Sequence, residues 1–170
     1  MKLNEDNKTN KGIEFSVDSS NLTGELEWNT NFNISLNRNK LNKLSLQKVY
    51  YYASTSEATS EQVVRITEGQ PLGKFWGLIS EGVDPQTGDI KYKDLNGDGR
   101  ITVSDKTYIG DPNPDFTFGF TNDFSYKNFT LSIFFQGSYG NDIYNASRIE
   151  TEGMYDGKNQ STAVLNRWKK

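Results

Sequence analysis

Residues 25–37, ELEWNTNFNISLN, alternate without interruption, with Leu26, Trp28, Thr30, Phe32, Ile34 and Leu36 on one side and Glu25, Glu27, Asn29, Asn31, Asn33, Ser35 and Asn37 on the other. Successive side chains of a strand point to opposite faces, so the stretch reads as one long two-faced strand. Its length is the stronger constraint. At about 3.3 Å per residue such a run exceeds the hydrocarbon thickness of a bilayer even when tilted, whereas ordinary strands have about five or six residues. A soluble β-sandwich also alternates, but on shorter strands. The polar side here, rich in Asn and Ser and sparing in Lys, suits a water-filled lumen.

The signature recurs. IEFSVD at 13–18 alternates, and NLTG at 21–24 is a turn that folds it onto the long strand as a hairpin. DFTFGFTNDFSY at 115–126 places Phe116, Phe118, Phe120, Phe124 and Tyr126 on one side, with Asn122 out of place. A tight step at Lys127 and Asn128 leads to FTLSIFFQGSYG, where Phe129, Leu131, Ile133, Phe135 and Tyr139 share a side and Phe134 is the exception. The expected class is mainly β: antiparallel up-and-down strands forming part of a transmembrane β-barrel, with a long external loop region and a short C-terminal helix. Residues 1–37 and 115–140 are the two barrel hairpins, 38–114 the long external region, and 141–170 a further external loop holding a helix over STAVLNRW at 161–168. Short turns on one side and long connections on the other are the habit of outer-membrane barrels. Within 38–114, VVRITEG and KFWGLI read as short strands, with bends at Gly69, Pro71, Gly73, Gly77 and Gly82. A connection of that length suggests function or a small subdomain.

Composition narrows the chemistry. Only 34% of residues are hydrophobic and the mean hydropathy is −0.75, yet there are three Trp, nine Tyr and ten Phe, which suits sheet surfaces. A formal charge of −3 without clusters of Lys and Arg gives no field that argues for a nucleic-acid partner, and none is expected. The absence of His and Cys removes the commonest general base, zinc ligands and disulfides, so no enzyme is expected. No run reaches the roughly 18 apolar residues of a membrane helix, and MKLNEDNKTNKG is too polar for a signal peptide. Strands that cross a membrane escape that criterion.

One stretch carries a metal-site spacing. In DLNGDGRITVSD, Asp94, Asn96 and Asp98 stand at the first, third and fifth places of a twelve-residue cation loop, with Gly99 sixth, Arg100 seventh, Thr102 ninth and Asp105 twelfth. Calcium takes six to eight hard oxygens, which carboxylates at alternate positions of a tight loop can supply, with the Arg100 carbonyl, Thr102 and Asp105 completing the set. Asp at the twelfth place instead of Glu and extended flanks, DIKYK and KTYIG, depart from an EF-hand. The competing reading is an Asx-rich turn that caps its own amides. Bound calcium would be structural.

Tyr51, Trp76, Tyr108 and Tyr139 are candidate contacts for a ligand or partner, by stacking on sugar rings or facing another protein; packing and an interfacial aromatic girdle are the alternatives. GQPLGKFWG at 69–77 lacks the Lys-Ser ending of a phosphate loop. Nothing sets Glu150 and Glu152 at the separation a glycosidase pair needs, and they read as solvated loop charges.

The segments NKGIEF, ELEWNTNFNISLNRNKL, ITEGQPLGKFWGLISEGVDPQTGDIKYKDLNGDGRITVSDKTYIGDPNPDFTFGF, NFTLSIFFQGSYGNDIYN and LNRW, in that order, resemble the late part of the barrel domain of SusC/RagA-type TonB-dependent outer-membrane transporters. The resemblance implies import of oligosaccharides or peptides, a SusD-like surface lipoprotein as lid, energy from the TonB complex, contact with membrane lipid and a place in the outer membrane. It also implies that the chain is a fragment, without plug or enough strands to close, and not active alone. A secreted, calcium-stabilised β-sheet module binding carbohydrate or protein in water is the alternative.

Overall fold

The computed structural model describes residues 7–44, 49–53, 62–155 and 157–169, of which 49–53 are described by backbone alone. The chain enters through β1 (Asn7–Thr23), turns at Gly24 and Glu25, and returns through β2 (Leu26–Lys43). Six short strands follow: β3 (Val49–Ala53), β4 (Gln62–Thr67), β5 (Phe75–Gly77), β6 (Ser80–Val83), β7 (Ile90–Tyr92) and β8 (Thr107–Gly110). The long strands resume with β9 (Phe116–Tyr126) and β10 (Phe129–Tyr139), and one helical turn and a half, α1 (Ser147–Glu152), comes after them.

The four long strands form one antiparallel sheet in the order β1-β2-β9-β10, so β2 and β9 are neighbours despite the insertion between them. Register fixes the geometry. Leu26 faces Tyr126, and Tyr126 faces Phe129, so both tight turns lie at the same end and the insertion leaves from the other. Lys127 takes a left-handed φ of 53° to make the second turn in two residues.

Pairing also aligns the apolar sides. Trp28 faces Phe124, Phe32 faces Phe120 and Ile34 faces Phe118, while β1 adds Ile13, Phe15, Val17 and Leu22 and β10 adds Leu131, Ile133 and Phe135. Rings meet across strands, with Trp28 and Phe124 stacked at 5.7 Å and Phe116 and Tyr139 stacked at 5.3 Å. From Leu26 to Leu36 the band covers eleven residues, or ten steps along the strand. At about 3.3 Å per residue and a tilt of about 40° that is about 25 Å, the height of the apolar belt of a membrane barrel. Among the described residues nothing covers it: Phe129 is 79% exposed and Ile13 73%, and Leu41 is the one buried hydrophobic residue. A self-sealed sandwich, the soluble alternative, would bury these rings, and here they stay open. No described helix is long and apolar enough to cross a membrane, which says nothing of crossing by strands.

Several local expectations are corrected. The first turn falls at Gly24 and Glu25 and not over 21–24, because β1 continues to Thr23 through a register shift between Ser20 and Leu22. Both strands of this hairpin also run past the alternating region, to Asn7 and Lys43, where backbone pairing continues without an apolar side. Gly77 is no bend: it lies inside β5, where a Cβ would come within 2.9 Å of Ile109. The stretch at 161–168 is a short 3-10 helix, Thr162–Asn166, begun by the Ser161 hydroxyl accepting from the Ala163 amide. The α-helix stands earlier, at α1, held by the Arg148–Glu152 pair at 2.8 Å.

The insertion is structured. β3, β4, β5 and β8 form a second antiparallel sheet, and β6 and β7 a separate hairpin. Leu41, near the end of β2, exchanges backbone bonds with Gly69 and Gln70 and so moors the second sheet to the long hairpin.

Candidate functional site

Trp76 and Tyr108 face each other across β5 and β8, with their rings edge to face at 5.0 Å. The Arg65 guanidinium lies 3.9 Å above the Trp76 ring, Lys74 Nζ lies 5.0 Å from the Tyr108 ring, and the Tyr108 hydroxyl is 2.7 Å from Thr67 Oγ1. The alternation of β4, β5 and β8 delivers these groups to one side of the small sheet. Beside them opens a cleft of about 500 Å³, bordered by Trp76, Tyr92, Lys106, Ile109 and Tyr144. Cations over aromatic faces make a half-polar surface suited to a hydroxyl-rich or peptidic ligand. Tyr139 is not part of it: it lies on the apolar side of the long sheet, stacked on Phe116, in the manner of a girdle residue. The side chain of Tyr51 lies outside the described residues, although its backbone pairs with Arg65 in β3 and β4.

The loop at Asp94 is wound by its own hydrogen bonds. Asp94 accepts from the Gly97 and Gly99 amides at 2.7 Å each, Asn96 Oδ1 accepts from the Asp98 amide at 2.9 Å, and Asp98 accepts from the Arg100 amide at 2.8 Å. Gly97 and Gly99 have φ of 74° and 77°, a conformation that glycine adopts freely. Asp105 sits beneath the loop, wholly buried. Its carboxylate accepts from the amides of Thr102 at 2.7 Å, Leu95 at 3.0 Å and Asn96 at 3.4 Å, and from the Thr102 hydroxyl at 3.3 Å. The Thr102 amide bond, foremost, holds this carboxyl below its ordinary pKa against the opposing effect of burial. Thr102 in turn accepts from the Ser104 amide, closing a capping box over a 3-10 turn, Val103–Asp105. The oxygens of Asp94, Asn96 and Asp98 are of the hard type calcium takes, and, like those of Asp105, they accept hydrogen bonds from within the loop itself. Among the described residues no three Asp or Glu side chains converge as a metal cluster.

Comparison with known proteins places this geometry. No family model matches the chain. TonB-dependent receptor P3 of Formosa agariphila is 37% identical over 94% of the chain, and TonB-dependent receptor SusC of Bacteroides thetaiotaomicron is 27% identical over 86%. The RagAB peptide transporter aligns with a TM-score of 0.78 over 96% of the chain at 21% identity, a likeness of fold. The chain belongs to the TonB-dependent receptors. It spans 17% of the length of the Formosa relative, 16% of the Bacteroides relative and 18% of the matched structure.

In this receptor segment one polar cluster escapes sequence reasoning. Asn39 on β2 donates to Asn113 Oδ1 at 2.7 Å and accepts from the Leu72 amide at 2.7 Å, while Asn113 donates to the Leu72 carbonyl at 2.9 Å and to Asp111 at 2.7 Å. Next to it Arg38 pairs with Asp115 at 2.7 Å and donates to the Pro114 carbonyl at 3.0 Å. These bonds clamp the insertion to the open end of the receptor's long sheet. The only sequence signal is DPNPD itself, a turn-forming run whose partners in this cluster lie 41 to 77 residues away. Glu150 and Glu152 pair with Lys158 at 2.9 Å and Arg148 at 2.8 Å, which accounts for them as loop ion pairs.

Proposed function

We propose that these residues supply four neighbouring wall strands of an outer-membrane importer, with the insertion between β2 and β9 standing on the cell exterior. The observation that carries this reading is the coincidence of an apolar belt of about 25 Å with two tight turns at one end of the sheet and every long connection at the other. The receptor as a whole imports oligosaccharides or peptides, is energised through the TonB complex and pairs with a SusD-like surface lipoprotein. Its role is transport and not catalysis. The four strands alone leave two sheet edges and the belt uncovered, so this segment is inactive without the rest of the barrel. Trp76 and Tyr108, with the cations above them, are the groups placed to meet cargo or lid at the mouth. Uptake of labelled oligosaccharides and peptides by cells carrying the full receptor tests this: import of one class that stops when TonB is removed is expected, and import indifferent to TonB contradicts it.

The same reading gives the Asp94 loop a structural calcium ion. Asp94, Asn96 and Asp98 would contact it together with the Arg100 carbonyl, and Thr102 directly or through water, with Asp105 holding the loop from beneath. The ion would stiffen an exposed loop in a calcium-rich exterior. Titration calorimetry of the full receptor is the check. Calcium uptake that Asp94→Ala removes is expected, and no uptake at millimolar calcium contradicts it.

A further inference from the structure

The segment after β10 leaves the long sheet and crosses the insertion. At its start the Asp142 amide donates to the Asp111 carbonyl at 2.7 Å, its carboxylate accepts from the Asp111 amide at 2.7 Å, and Tyr144 lies against Phe75 at 5.9 Å between ring centres. The middle is braced on itself, by the Ser161 amide donating to the Thr151 carbonyl at 2.8 Å and by the Lys158–Glu150 pair. A groove of about 590 Å³ lies under α1, bordered by Phe75, Ile109, Asp142, Tyr144, Arg148 and Ile149.

The far end is held differently. Trp168 donates its indole N–H to the Pro85 carbonyl at 2.9 Å and lays its ring on Gly88, where a Cβ would come within 2.6 Å of it. Gly88 and Pro85 belong to the turn between β6 and β7. Asp84 keeps that turn in shape, accepting from the Gln86 and Thr87 amides at 2.8 and 3.2 Å and pairing with Lys91 at 2.9 Å. The β6–β7 hairpin is a sheet of its own, paired with no other strand among the described residues. Its place over the second sheet therefore depends on few contacts.

We infer that residues 141–155 and 157–169 form a strap over the insertion, and that Trp168, seated in the notch at Gly88, is the latch that holds the β6–β7 hairpin to it. The base of the strap has one backbone bond, one amide–carboxylate bond and a ring contact, the tip one hydrogen bond and one ring face. The tip is thus where the strap lets go first, freeing the hairpin and unroofing the groove under α1.

Hydrogen exchange on the full receptor in lipid nanodiscs tests the latch. Trp168→Ala is expected to speed amide exchange in 80–92 by about tenfold, the change that a lost bond and ring contact bring. Trp168→Phe, which keeps a ring but no donor, is expected to give a smaller rise. Gly88→Ala is expected to speed exchange in 162–167, far from it in sequence, which turn strain alone would not do. The barrel strands serve as the folding control and should not change. Unchanged exchange in 80–92 in both Trp168 variants, or a Gly88→Ala effect confined to its own turn, overturns the inference.

Discussion

Asp105 shows how much one side chain can organise. Its buried carboxylate closes the Asp94 loop through three amides and a hydroxyl, so Asp105→Ala leaves those donors facing nothing and is expected to open residues 94–105 to exchange and proteolysis while the barrel strands stay protected. The pH dependence has a definite sign. A carboxyl whose folded pKa lies below its unfolded one stabilises fully above about pH 4, and that contribution fades as pH falls through the folded value. Loop protection should accordingly be flat from pH 7 to about 5 and decline below about 4, and a decline starting near neutrality would speak against Asp105 as the anchor. Asn113 acts in the same way at the junction. Asn113→Ala strands the Leu72 carbonyl and Asn39, and is expected to lower the free energy of local opening there by about 1–3 kcal/mol, read by hydrogen exchange at Leu72. Asn122 marks what a sequence can and cannot say at this scale. Alternation flags it as out of place, yet its reason, Oδ1 accepting from Trp28 Nε1 at 2.9 Å and from the Thr30 hydroxyl at 2.8 Å, spans more than ninety residues. With Asn21 and Ser19 these groups make a self-satisfied polar chain inside the apolar belt.

Strands were legible where burial on one side imposes a period of two, and illegible where only the backbone pairs. β2, β9 and β10 could be drawn from Phe, Trp and Leu positions alone, whereas the extension of β1 into NKTNKG carries no side-chain signal. α1 has six residues and no capping side chain, so no start signal announced it. The spacing of the Asp94 loop was visible because Asp94, Asn96 and Asp98 accept amides only two to five residues on, and the junction clamp was not because its bonds are long-range. The two sides of one strand give a direct contrast. Phe120 lies mid-belt on the apolar side and Thr121 beside it on the polar side. Phe120→Arg is expected to destabilise the folded receptor in lipid by about 2–4 kcal/mol, and Thr121→Arg by far less, as measured by denaturant unfolding in vesicles. Equal penalties would mean that the sides have been assigned wrongly.

For the whole molecule, the sheet makes sense only as part of something larger. Its buried hydrophobic residues reduce to Leu41 among those described, its widest apolar surface is open, and its relatives are about six times as long. In the proposed reading the long sheet is a wall, the second sheet and its hairpin a superstructure moored at Leu41 and at the Asn39–Asn113 clamp, and the strap a tie across it. Both the hydrocarbon belt and the wet lumen are read from which side of β9 a residue occupies. The chain has no cysteine of its own, which makes site-directed labelling clean within it. With single cysteines at Phe120 and Thr121 in the full receptor, and any cysteines elsewhere in it removed, outer-membrane vesicles can be treated with a water-soluble or a lipid-soluble maleimide. Phe120→Cys should react with the lipid-soluble reagent alone and Thr121→Cys with the water-soluble one. Reaction of both positions with the water-soluble reagent, or the reverse assignment, would contradict a strand that faces lipid on one side and a channel on the other.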